Sequence, residues 1–337
     1  MVFVTGATGL VGSHLVLYLL KKEYKVRALK RKTSSFSIIK NVFDLYADEN
    51  PANLFDKIEW VDGDITDLFS IEEALNDIDE VYHCSGLVSY QKNDKKRIFD
   101  ININGTANVV NASIRADVKK FLYVSSVASL GRAEKNTLHT EEIIWENSKE
   151  RSDYSVSKYL GEQEVWRGSE EGLNVVIINP SIILGIGNTE KGSTKLFTKV
   201  YEGLKFYTDG INGFVDVRDV ANTAILLMES TISGERFIIN GDNVSYKKLF
   251  KLIAENFKVN PPKYRAGSIL SGIYWRTDWL VSKLTGREQI VSRSTAKTAQ
   301  QKHYFSNQKI KNYINHNFIP IEKTIKDSCA VIIKKFD

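Results

Sequence analysis

The chain has 337 residues, of which 42% are hydrophobic and 26% are charged, so a mainly disordered or fibrous protein is excluded and the length fits about two ordinary domains. Two cysteines, Cys84 and Cys329, are too few for a disulfide scaffold or a four-cysteine zinc site, and the count is typical of a reducing compartment. Lysine and arginine number 46 against 41 acidic residues, and the small net charge of +5, which is dispersed and lacks an aromatic-rich basic motif, argues against a nucleic-acid partner.

Short β-rich segments alternate with longer helical patterns through the first half of the chain. The predicted strands are 2–4, 25–29, 58–61, 80–83, 121–125 and 175–179. The predicted helices are 10–20, 71–76, 98–115 and 154–171. This alternation predicts an α/β fold in which a parallel sheet carries helices on both faces.

The second half of the chain is more irregular and predicts a smaller lobe packed on the sheet. It shows few clear strands, one of them at 236–239, and it ends in basic helical segments. We expect the chain to leave the main sheet and to return to it. Residues 1–180 and 214–240 would then form the sheet domain, and residues 181–213 and 241–337 the lobe.

Two long segments, 33–57 and 133–151, are predicted to be loops, which in compact domains often cover or bind a ligand. Residues 268–284 show apolar side chains at helical spacing, but charges such as Arg276 exclude a membrane span. We expect this helix to pack in the lobe, and a position on a membrane surface is the alternative. Strand residues begin at Val2 without a basic leader, so we expect a cytoplasmic protein without membrane association.

A glycine-rich segment, TGATGLVG at 5–12, lies between the first strand and the first helix. Gly6 permits the sharp turn out of the strand, Gly9 lets the backbone approach a phosphate, and Gly12 lets the helix pack against the sheet. The N-terminus of the helix adds free N–H groups and the positive end of its dipole. This context predicts that the loop binds the pyrophosphate of a dinucleotide.

The end of the second strand distinguishes the two nicotinamide dinucleotides. An NAD site places an acidic residue there, whereas an arginine accommodates the 2′-phosphate of NADP. In this chain the strand ends in Lys30, Arg31 and Lys32, with no acid in that position. We therefore favour NADP over NAD, with Lys30 and Arg31 at the phosphate.

Tyr154 and Lys158 are four residues apart on a predicted helix, so they share one face. An ammonium group close to the phenol would lower the pKa of Tyr154 by favouring the phenolate. Tyr154 could then exchange a proton with a carbonyl oxygen or an alcohol near neutral pH. Ser126 follows the strand 121–125, at the carboxyl end where ligands bind in open α/β sheets, and we expect it to orient the carbonyl oxygen toward Tyr154.

Together these motifs resemble the extended branch of the short-chain dehydrogenase/reductase family, of the NAD-dependent epimerase/dehydratase type, and its dihydroflavonol reductase and hydroxysteroid dehydrogenase members in particular. The resemblance covers nearly the whole chain. The matching segments are TGATGLVG at 5–12, DGDI at 62–65, ININGT at 101–106, YSVSK at 154–158, Pro180 and FVDVRDVA at 214–221. The resemblance implies a Rossmann-type doubly wound sheet with a smaller, mostly C-terminal substrate lobe, and it implies a homodimer that acts on a small molecule.

The resemblance also implies roles for individual residues. Asn102 would support the active site through its helix backbone, and Lys158 would also hydrogen-bond the nicotinamide ribose. Ser85 departs from the alanine that is usual in the family. The catalytic set is Ser126, Tyr154, Lys158 and Asn102. The full cofactor-binding set is Thr5, Gly6, Thr8, Gly9, Leu10, Val11, Gly12, Lys30, Arg31, Asp64, Ile65, Cys84, Ser85, Gly86, Tyr154, Lys158, Pro180 and Ser181, with adenine at Asp64 and Ile65 and the nicotinamide at Pro180 and Ser181.

Two reactions compete within this family. The first is NADPH-dependent reduction of a carbonyl on a small apolar substrate, and the second is epimerisation or dehydration of a sugar nucleotide with a retained NAD. Sugar-nucleotide enzymes of this type usually carry an arginine and an asparagine where this chain has Asn179 and Ile182. Dehydratases use an Asp-Glu pair where this chain has Val127 and Ala128, so the first reaction is favoured.

A dinucleotide-binding regulator without catalysis is a third alternative, from a different functional class. Relatives of that kind tend to lose the tyrosine or the lysine, whereas this chain keeps both Tyr154 and Lys158. No metal is expected in any of these cases, since the five histidines are scattered without metal-ligand spacing.

Overall fold

The structure is a computed structural model, which describes residues 1–48, 50–134, 137–146, 148, 151–189, 192–267, 272, 275–277 and 298–334. The strands are β1 (Val2–Thr5), β2 (Val26–Lys30), β3 (Glu59–Asp62), β4 (Glu80–His83), β5 (Lys120–Val124), β6 (Leu138–His139), β7 (Val175–Pro180), β8 (Ile182–Leu184), β9 (Phe206–Tyr207), β10 (Ile211–Asp216), β11 (Glu235–Ile239), β12 (Asp242–Ser245), β13 (Tyr264–Arg265) and β14 (Tyr304–Phe305). The helices are α1 (Leu10–Lys21), α2 (Ser37–Tyr46), α3 (Pro51–Asp56), α4 (Leu68–Ala74), α5 (Lys95–Phe99), α6 (Gly105–Arg115), α7 (Asp153–Glu170), α8 (Lys195–Tyr201), α9 (Val217–Glu229), α10 (Tyr246–Phe257), α11 (Gln308–Tyr313) and α12 (Ile321–Ile333).

Seven parallel strands in the order β11-β7-β5-β4-β1-β2-β3 form the central sheet. Alternate residues of β1 face opposite sides, because side chains of a strand alternate with a period of two. Val2 and Val4 pack with residues of α1, α2 and α9, whereas Phe3 packs with residues of α4, α6 and α7. Helices therefore cover both faces of the sheet, and the predicted Rossmann-type doubly wound fold is confirmed.

The direction in which the sheet grows reverses between β1 and β4. The chain first adds β2 and β3 on one side of β1, and then returns to add β4, β5 and β7 on the other side. In open α/β sheets, ligands bind beyond the carboxyl ends of the strands at such a reversal. The residues that follow β1, β4 and β5 therefore occupy the position where a ligand site is expected.

The prediction of a long loop at 33–57 is wrong, because α2 and α3 lie within it. Ile39, Val42 and Phe43 recur at helical spacing and are buried in the core that also contains residues of α1. The side chain of Asn50 caps the N-terminus of α3. Burial of its apolar face therefore stabilises α2, although the polar residues around this face led to the prediction of a loop.

A second sheet contains three strands in the order β12-β10-β8. β8 is parallel to β10 and β12 is antiparallel to it, and α8, α10 and α12 share one core with this sheet. The sequence predicted few strands in the second half, which is wrong in number. The missed strands β8, β9, β12, β13 and β14 are only two to four residues long, too short to show an alternating pattern. The six-residue strand β10 was missed as well, because Asn212 and Gly213 interrupt its apolar residues.

The predicted domain boundary at 214 lies inside β10, and the chain returns to the main sheet through α9 and β11. The division of the chain into two domains stays a prediction.

In the segment predicted as the loop 133–151, the described residues contain one two-residue strand, β6. The helix predicted at 268–284 lies outside the described residues, apart from 272 and 275–277. Within the described ranges, no helix combines the length and the apolar character needed to cross a bilayer.

Candidate active site

The loop between β1 and α1 depends on two glycines for its close packing. Gly6 has a φ of +68°, in the left-handed region, and a Cβ there would lie 2.8 Å from backbone atoms of Cys84 and Ser85. A Cβ at Gly12 would lie 2.2 Å from the carbonyl oxygen of Gly6. The loop therefore packs directly against the residues that follow β4, and a larger side chain at either glycine would displace it.

Among the residues that the structure describes, no side chain caps the free N–H groups at the N-terminus of α1. Gly9 is the N-cap in an extended conformation, it makes no side-chain cap, and the first turn has no acidic residue. These N–H groups and the positive end of the helix dipole are suited to an anion. Thr8, Leu10 and Val11 lie half-buried around this N-terminus, and Thr5 is buried. The residues present thus fit a dinucleotide pyrophosphate.

At the end of β2, the two cations predicted to face a 2′-phosphate differ in their surroundings. Lys30 forms an ion pair with Asp62, which lies opposite it on β3. Arg31 is exposed in the following turn, where its backbone N–H donates to the hydroxyl of Ser34 at 3.1 Å. The pairing of β2 with β3 brings a carboxylate to Lys30 that the local sequence does not reveal, so Arg31 is the better placed of the two.

The two residues predicted to contact adenine follow β3. One carboxylate oxygen of Asp64 accepts hydrogen bonds from the N–H and the hydroxyl of Thr66, at 2.9 Å and 2.8 Å. Ile65 is buried, and a Cβ at Gly105 would lie 2.7 Å from its Cδ1 atom. Both residues lie at the carboxyl edge of the sheet, with the side chain of Ile65 directed into the core.

Ser126 and Tyr154 meet at the carboxyl end of β5. The hydroxyl of Ser126 accepts a hydrogen bond from the N–H of Ala128 at 3.1 Å, and it faces the phenol of Tyr154, where it opposes part of the rise in pKa that burial causes. Tyr154 lies in the first turn of α7, where the N-cap hydroxyl of Ser152 accepts from the N–H of Ser155 at 3.1 Å. The structure therefore brings together the hydroxyl and the phenol that the sequence predicts to act together.

The ionisation of Tyr154 differs from the prediction. Burial raises the pKa of the phenol, so the predicted lowering by Lys158 is wrong for this arrangement. The amine of Lys158 donates instead to the hydroxyl of Tyr123 and to the carbonyl oxygen of Val124, each at 2.9 Å. Burial also lowers the pKa of Lys158 to about 7. The amine therefore exchanges its charge near neutral pH, while the phenol stays protonated.

Asn102 lies in the π-helical turn Asp100–Asn104, between α5 and α6. Its Oδ1 atom accepts from the N–H of Leu87 at 2.7 Å. Its Nδ2 atom donates to the carbonyl of Leu87 at 3.0 Å and to the hydroxyl of Ser157 at 2.9 Å. The side chain of Asn102 thus links the segment after β4 to α7, in addition to the backbone role that the resemblance implies.

The segment after β4 leaves space beside the amine of Lys158. A Cβ at Gly86 would lie 3.5 Å from Oδ1 of Asn102 and 3.8 Å from Nζ of Lys158, so any larger side chain would project toward both. Burial raises the pKa of Cys84 to about 12, which keeps its thiol protonated and unsuited to act as a nucleophile.

Pro180 ends β7, and Ser181 alone separates it from β8. The N–H of Ser181 donates to the carbonyl oxygen of Ile239 at 3.0 Å. Its hydroxyl oxygen is buried and has no hydrogen-bond partner within the part of the chain that the structure describes. A buried hydroxyl without a partner suits a polar group of a ligand, at the position where the nicotinamide is predicted.

Three residues beside the catalytic set were missed from the sequence. The ring of Tyr90 meets that of Tyr154 edge to face, with ring centres 5.5 Å apart. Glu162 is 1% exposed and lies one helical turn beyond Lys158, and Tyr123 accepts the hydrogen bond from Lys158. The spacing of Lys158 and Glu162 could have indicated their proximity. The contacts of Tyr90 and Tyr123 depend on how separate elements pack, so no local pattern reveals them.

Comparison with known proteins gives one family and several reductase relatives. A family model described as "NAD dependent epimerase/dehydratase family" matches residues 2–240. Sterol demethylase protein B of Methylococcus capsulatus is 28% identical over 262 residues, which cover 75% of this chain and 73% of the relative. Cinnamoyl-CoA reductase 1 of Petunia hybrida is 28% identical over 256 residues, with 71% and 72% covered. Dihydroflavonol 4-reductase of Arabidopsis thaliana is 26% identical over 286 residues, with 81% and 72% covered.

Solved structures match nearly the full length of the chain. The crystal structure of gox2253 has a TM-score of 0.82 and 27% identity, with 99% of this chain and 98% of that chain covered. UDP-glucose 4-epimerase of Thermotoga maritima has a TM-score of 0.77 and 20% identity, with 100% and 99% covered. At 20% identity, the similarity to this epimerase concerns the fold alone.

Proposed function

The chain belongs to the NAD dependent epimerase/dehydratase family and is an enzyme of the extended short-chain dehydrogenase/reductase type, and we propose that it is an NADP-dependent reductase that converts the carbonyl of a small apolar substrate into an alcohol. One observation carries this proposal: the hydroxyl of Ser126 faces the phenol of Tyr154 at the carboxyl end of β5, and Lys158 lies one helical turn further along α7. The reductase names of relatives such as the dihydroflavonol 4-reductase of Arabidopsis thaliana add support.

Tyr154 is the proton donor in this proposal. Because burial raises its pKa, the phenol is protonated at neutral pH, which is the form needed to give a proton to a developing alkoxide. Ser126 hydrogen-bonds the same oxygen and orients the carbonyl. Lys158 provides a positive charge when it is protonated, and that charge stabilises the phenolate that Tyr154 becomes after the transfer.

The fit of the loop and strand ends to a dinucleotide supports the cofactor assignment. The N-terminus of α1 would hold the pyrophosphate, and Gly86 and Ser181 would lie along the nicotinamide half. Arg31 would face the 2′-phosphate that distinguishes NADP from NAD. When it is bound, the cofactor supplies the hydride that the reaction transfers.

Turnover on a panel of ketones and aldehydes, followed by NADPH oxidation, tests the proposal. Replacing Tyr154 by phenylalanine removes the proton donor, so we expect kcat to fall roughly 100-fold or more, while the Kd for NADPH changes less than about twofold. Tyr159→Phe is the matched control on the same helix, because the ring of Tyr159 stacks on Trp145 instead. Full activity of Tyr154→Phe would contradict the assignment.

Titration with NADPH and NADH tests the choice of cofactor. We expect NADPH to bind more tightly, and Arg31→Ala to weaken NADPH binding roughly tenfold, as loss of a hydrogen bond to a charged group predicts. Lys30→Ala should have a smaller effect, since Asp62 already pairs with Lys30. Equal affinities for the two cofactors would contradict the NADP preference, and turnover of a sugar nucleotide without net NADPH consumption would indicate an epimerase.

The proposal includes a homodimer, a cytoplasmic location and the division into a dinucleotide-binding domain and a substrate lobe. The homodimer follows from the resemblance to the extended short-chain dehydrogenases, and the location from the low cysteine count. Light scattering after size-exclusion chromatography tests the first, with a particle of twice the mass of the chain as the expected result.

A further inference from the structure

The ammonium group of Lys158 is held by two acceptors on β5. Lys158 is 4% exposed, and its Nζ atom donates to the hydroxyl of Tyr123 and to the carbonyl oxygen of Val124, each at 2.9 Å. An ammonium group has three N–H donors. Two of them are thus directed toward β5, and the third is left for Tyr154 or the cofactor.

The acceptor Tyr123 is itself fixed by its neighbours. Its side chain is fully buried, and its ring stacks on that of His83, with the ring centres 5.4 Å apart and the planes at 22°. His83 is hydrogen-bonded at both nitrogens, through Nδ1 to the hydroxyl of Thr5 at 2.7 Å and through Nε2 to the hydroxyl of Thr106 at 3.1 Å. This packing determines where the hydroxyl of Tyr123 lies.

The titratable groups that face Lys158 come from three elements. They are His83 and Cys84 at the end of β4, Tyr123 on β5 and Glu162 on α7. Burial lowers the pKa of His83 to about 3, and it raises the pKa of Cys84 to about 12 and that of Tyr123 well above its ordinary value. These three groups are neutral near pH 7, so Tyr123 acts on Lys158 through an uncharged hydroxyl.

The hydroxyl of a buried tyrosine in this sheet does not always form a hydrogen bond. Tyr82 lies on the neighbouring strand β4 and is as deeply buried as Tyr123. Its hydroxyl oxygen nevertheless has no hydrogen-bond partner among the residues described. The two tyrosines therefore match in burial and differ in hydrogen bonding, which makes Tyr82 a suitable control.

We propose that Tyr123 is a positioning residue for Lys158: its hydroxyl accepts a hydrogen bond from the amine and holds it at the carboxyl end of β5. This place is next to the first turn of α7 and to the serine turn, residues 125–129, which follows β5. The part of Lys158 in the reaction rests on the proposed function, whereas the contact between Tyr123 and Lys158 depends on no substrate. Without the hydroxyl, the carbonyl of Val124 is left as the acceptor on β5, so the charged form of Lys158 loses support.

The experiment follows the amine of Lys158 directly. In the full-length protein, the ¹³Cε resonance of Lys158 is recorded by NMR as a function of pH, and it is assigned by its disappearance in Lys158→Met. In Tyr123→Phe, which keeps the ring and its stack on His83, we expect the titration midpoint to move down by roughly one pH unit. Tyr82→Phe should leave the midpoint unchanged.

Turnover provides the second readout. We expect kcat to fall roughly tenfold in Tyr123→Phe, with the pH profile shifted in the same direction as the NMR midpoint, whereas Tyr82→Phe keeps kcat within about twofold. Thermal unfolding of both variants verifies that they are folded.

An unchanged midpoint in folded Tyr123→Phe would overturn the proposal, and so would equal shifts in both variants, because those would reflect the loss of any buried hydroxyl. A shifted midpoint in a protein that reduces no carbonyl of the panel would support the positioning role and overturn the proposed function instead. The two failures are therefore distinguishable.

Discussion

The carboxylate of Glu162 is buried one helical turn beyond Lys158. Its Oε2 atom accepts hydrogen bonds from the hydroxyls of Ser125 and Ser129, at 2.6 Å and 2.7 Å, and from the amide of Asn179 at 2.8 Å. A buried carboxylate is costly unless several donors surround it. Glu162 therefore joins α7 to the serine turn after β5, and its charge favours the ammonium form of Lys158.

Replacing Glu162 by glutamine removes this charge, breaks the ion pair of Oε1 with Arg236 at 3.2 Å, and places an amide N–H₂ group among hydrogen-bond donors. We expect the free energy of unfolding to fall by about 3 kcal/mol, the size typical for breaking a buried charged network, and kcat to fall with it. Urea unfolding and turnover measure the two effects. Glu164→Gln, on the half-exposed side of the same helix, should change stability by less than about 0.5 kcal/mol, and equal losses in the two variants would contradict the argument.

At the scale of single residues, the sequence predicts the relative positions of side chains that belong to the same helix or the same loop. Tyr154 and Lys158 share a helix face by spacing, and Ser126 follows its strand directly, so these positions were predictable. The neutralisation of Lys30 by Asp62 and the contact of Lys158 with Tyr123 were not, because they depend on the pairing and packing of separate elements. Burial likewise reversed the expected direction of the pKa of Tyr154.

At the scale of single elements, the glycine loop gives the sharpest prediction. In Gly12→Ala, the added methyl group would meet the backbone carbonyl of Gly6, which cannot move as a flexible side chain would. We expect a loss of about 2 kcal/mol of stability and at least a tenfold weaker Kd for NADPH, measured by urea unfolding and fluorescence titration. Gly267→Ala is the control, since among the described residues no atom apart from those of Gly267 and its chain neighbours lies within 4 Å of a Cβ there. Unchanged NADPH binding in Gly12→Ala would contradict the role of the loop.

Element prediction succeeded where an element contains its own pattern. The six strands predicted in the first half are β-rich segments flanked by turns, and all six occur in the central sheet. The two-residue strands β6 and β14 exist only because they pair with each other from distant parts of the chain. Such a short strand, which is defined by its pairing partner, shows no alternating pattern of apolar and polar residues in the sequence.

For the whole molecule, four histidines with depressed pKa values link stability to pH, and they are His14, His83, His139 and His303. Burial lowers the pKa of His14 to about 4, that of His83 to about 3 and that of His303 to about 4, against 6.5 as the ordinary value. Below pH 6.5 the unfolded chain binds protons that the folded protein does not bind. The contribution of these groups to stability is therefore complete above pH 6.5 and is lost as the pH falls toward 4.

We therefore expect the urea midpoint to decrease steadily between pH 6.5 and pH 4.5. The free energy of unfolding falls by about 1.4 kcal/mol for each histidine and each pH unit between the folded and unfolded pKa values of that histidine. His14→Leu should show a shallower decrease, because one of the four histidines is removed. If His14→Leu and the native protein lose stability equally with falling pH, the buried His14 does not contribute to the pH dependence of stability.

Two very short joints connect the seven-stranded sheet directly to the three-stranded sheet, and a third connects the three-stranded sheet to α9. Ser181 alone separates β7 from β8, and residues 240–241 separate β11 from β12. Asp216 ends β10 and also caps α9, since its carboxylate accepts from the N–H of Arg218 at 2.8 Å. One residue inserted beside Ser181 would turn every side chain of β8 to the opposite face. We therefore expect insertions and deletions to be excluded from these joints during evolution and to accumulate in surface segments.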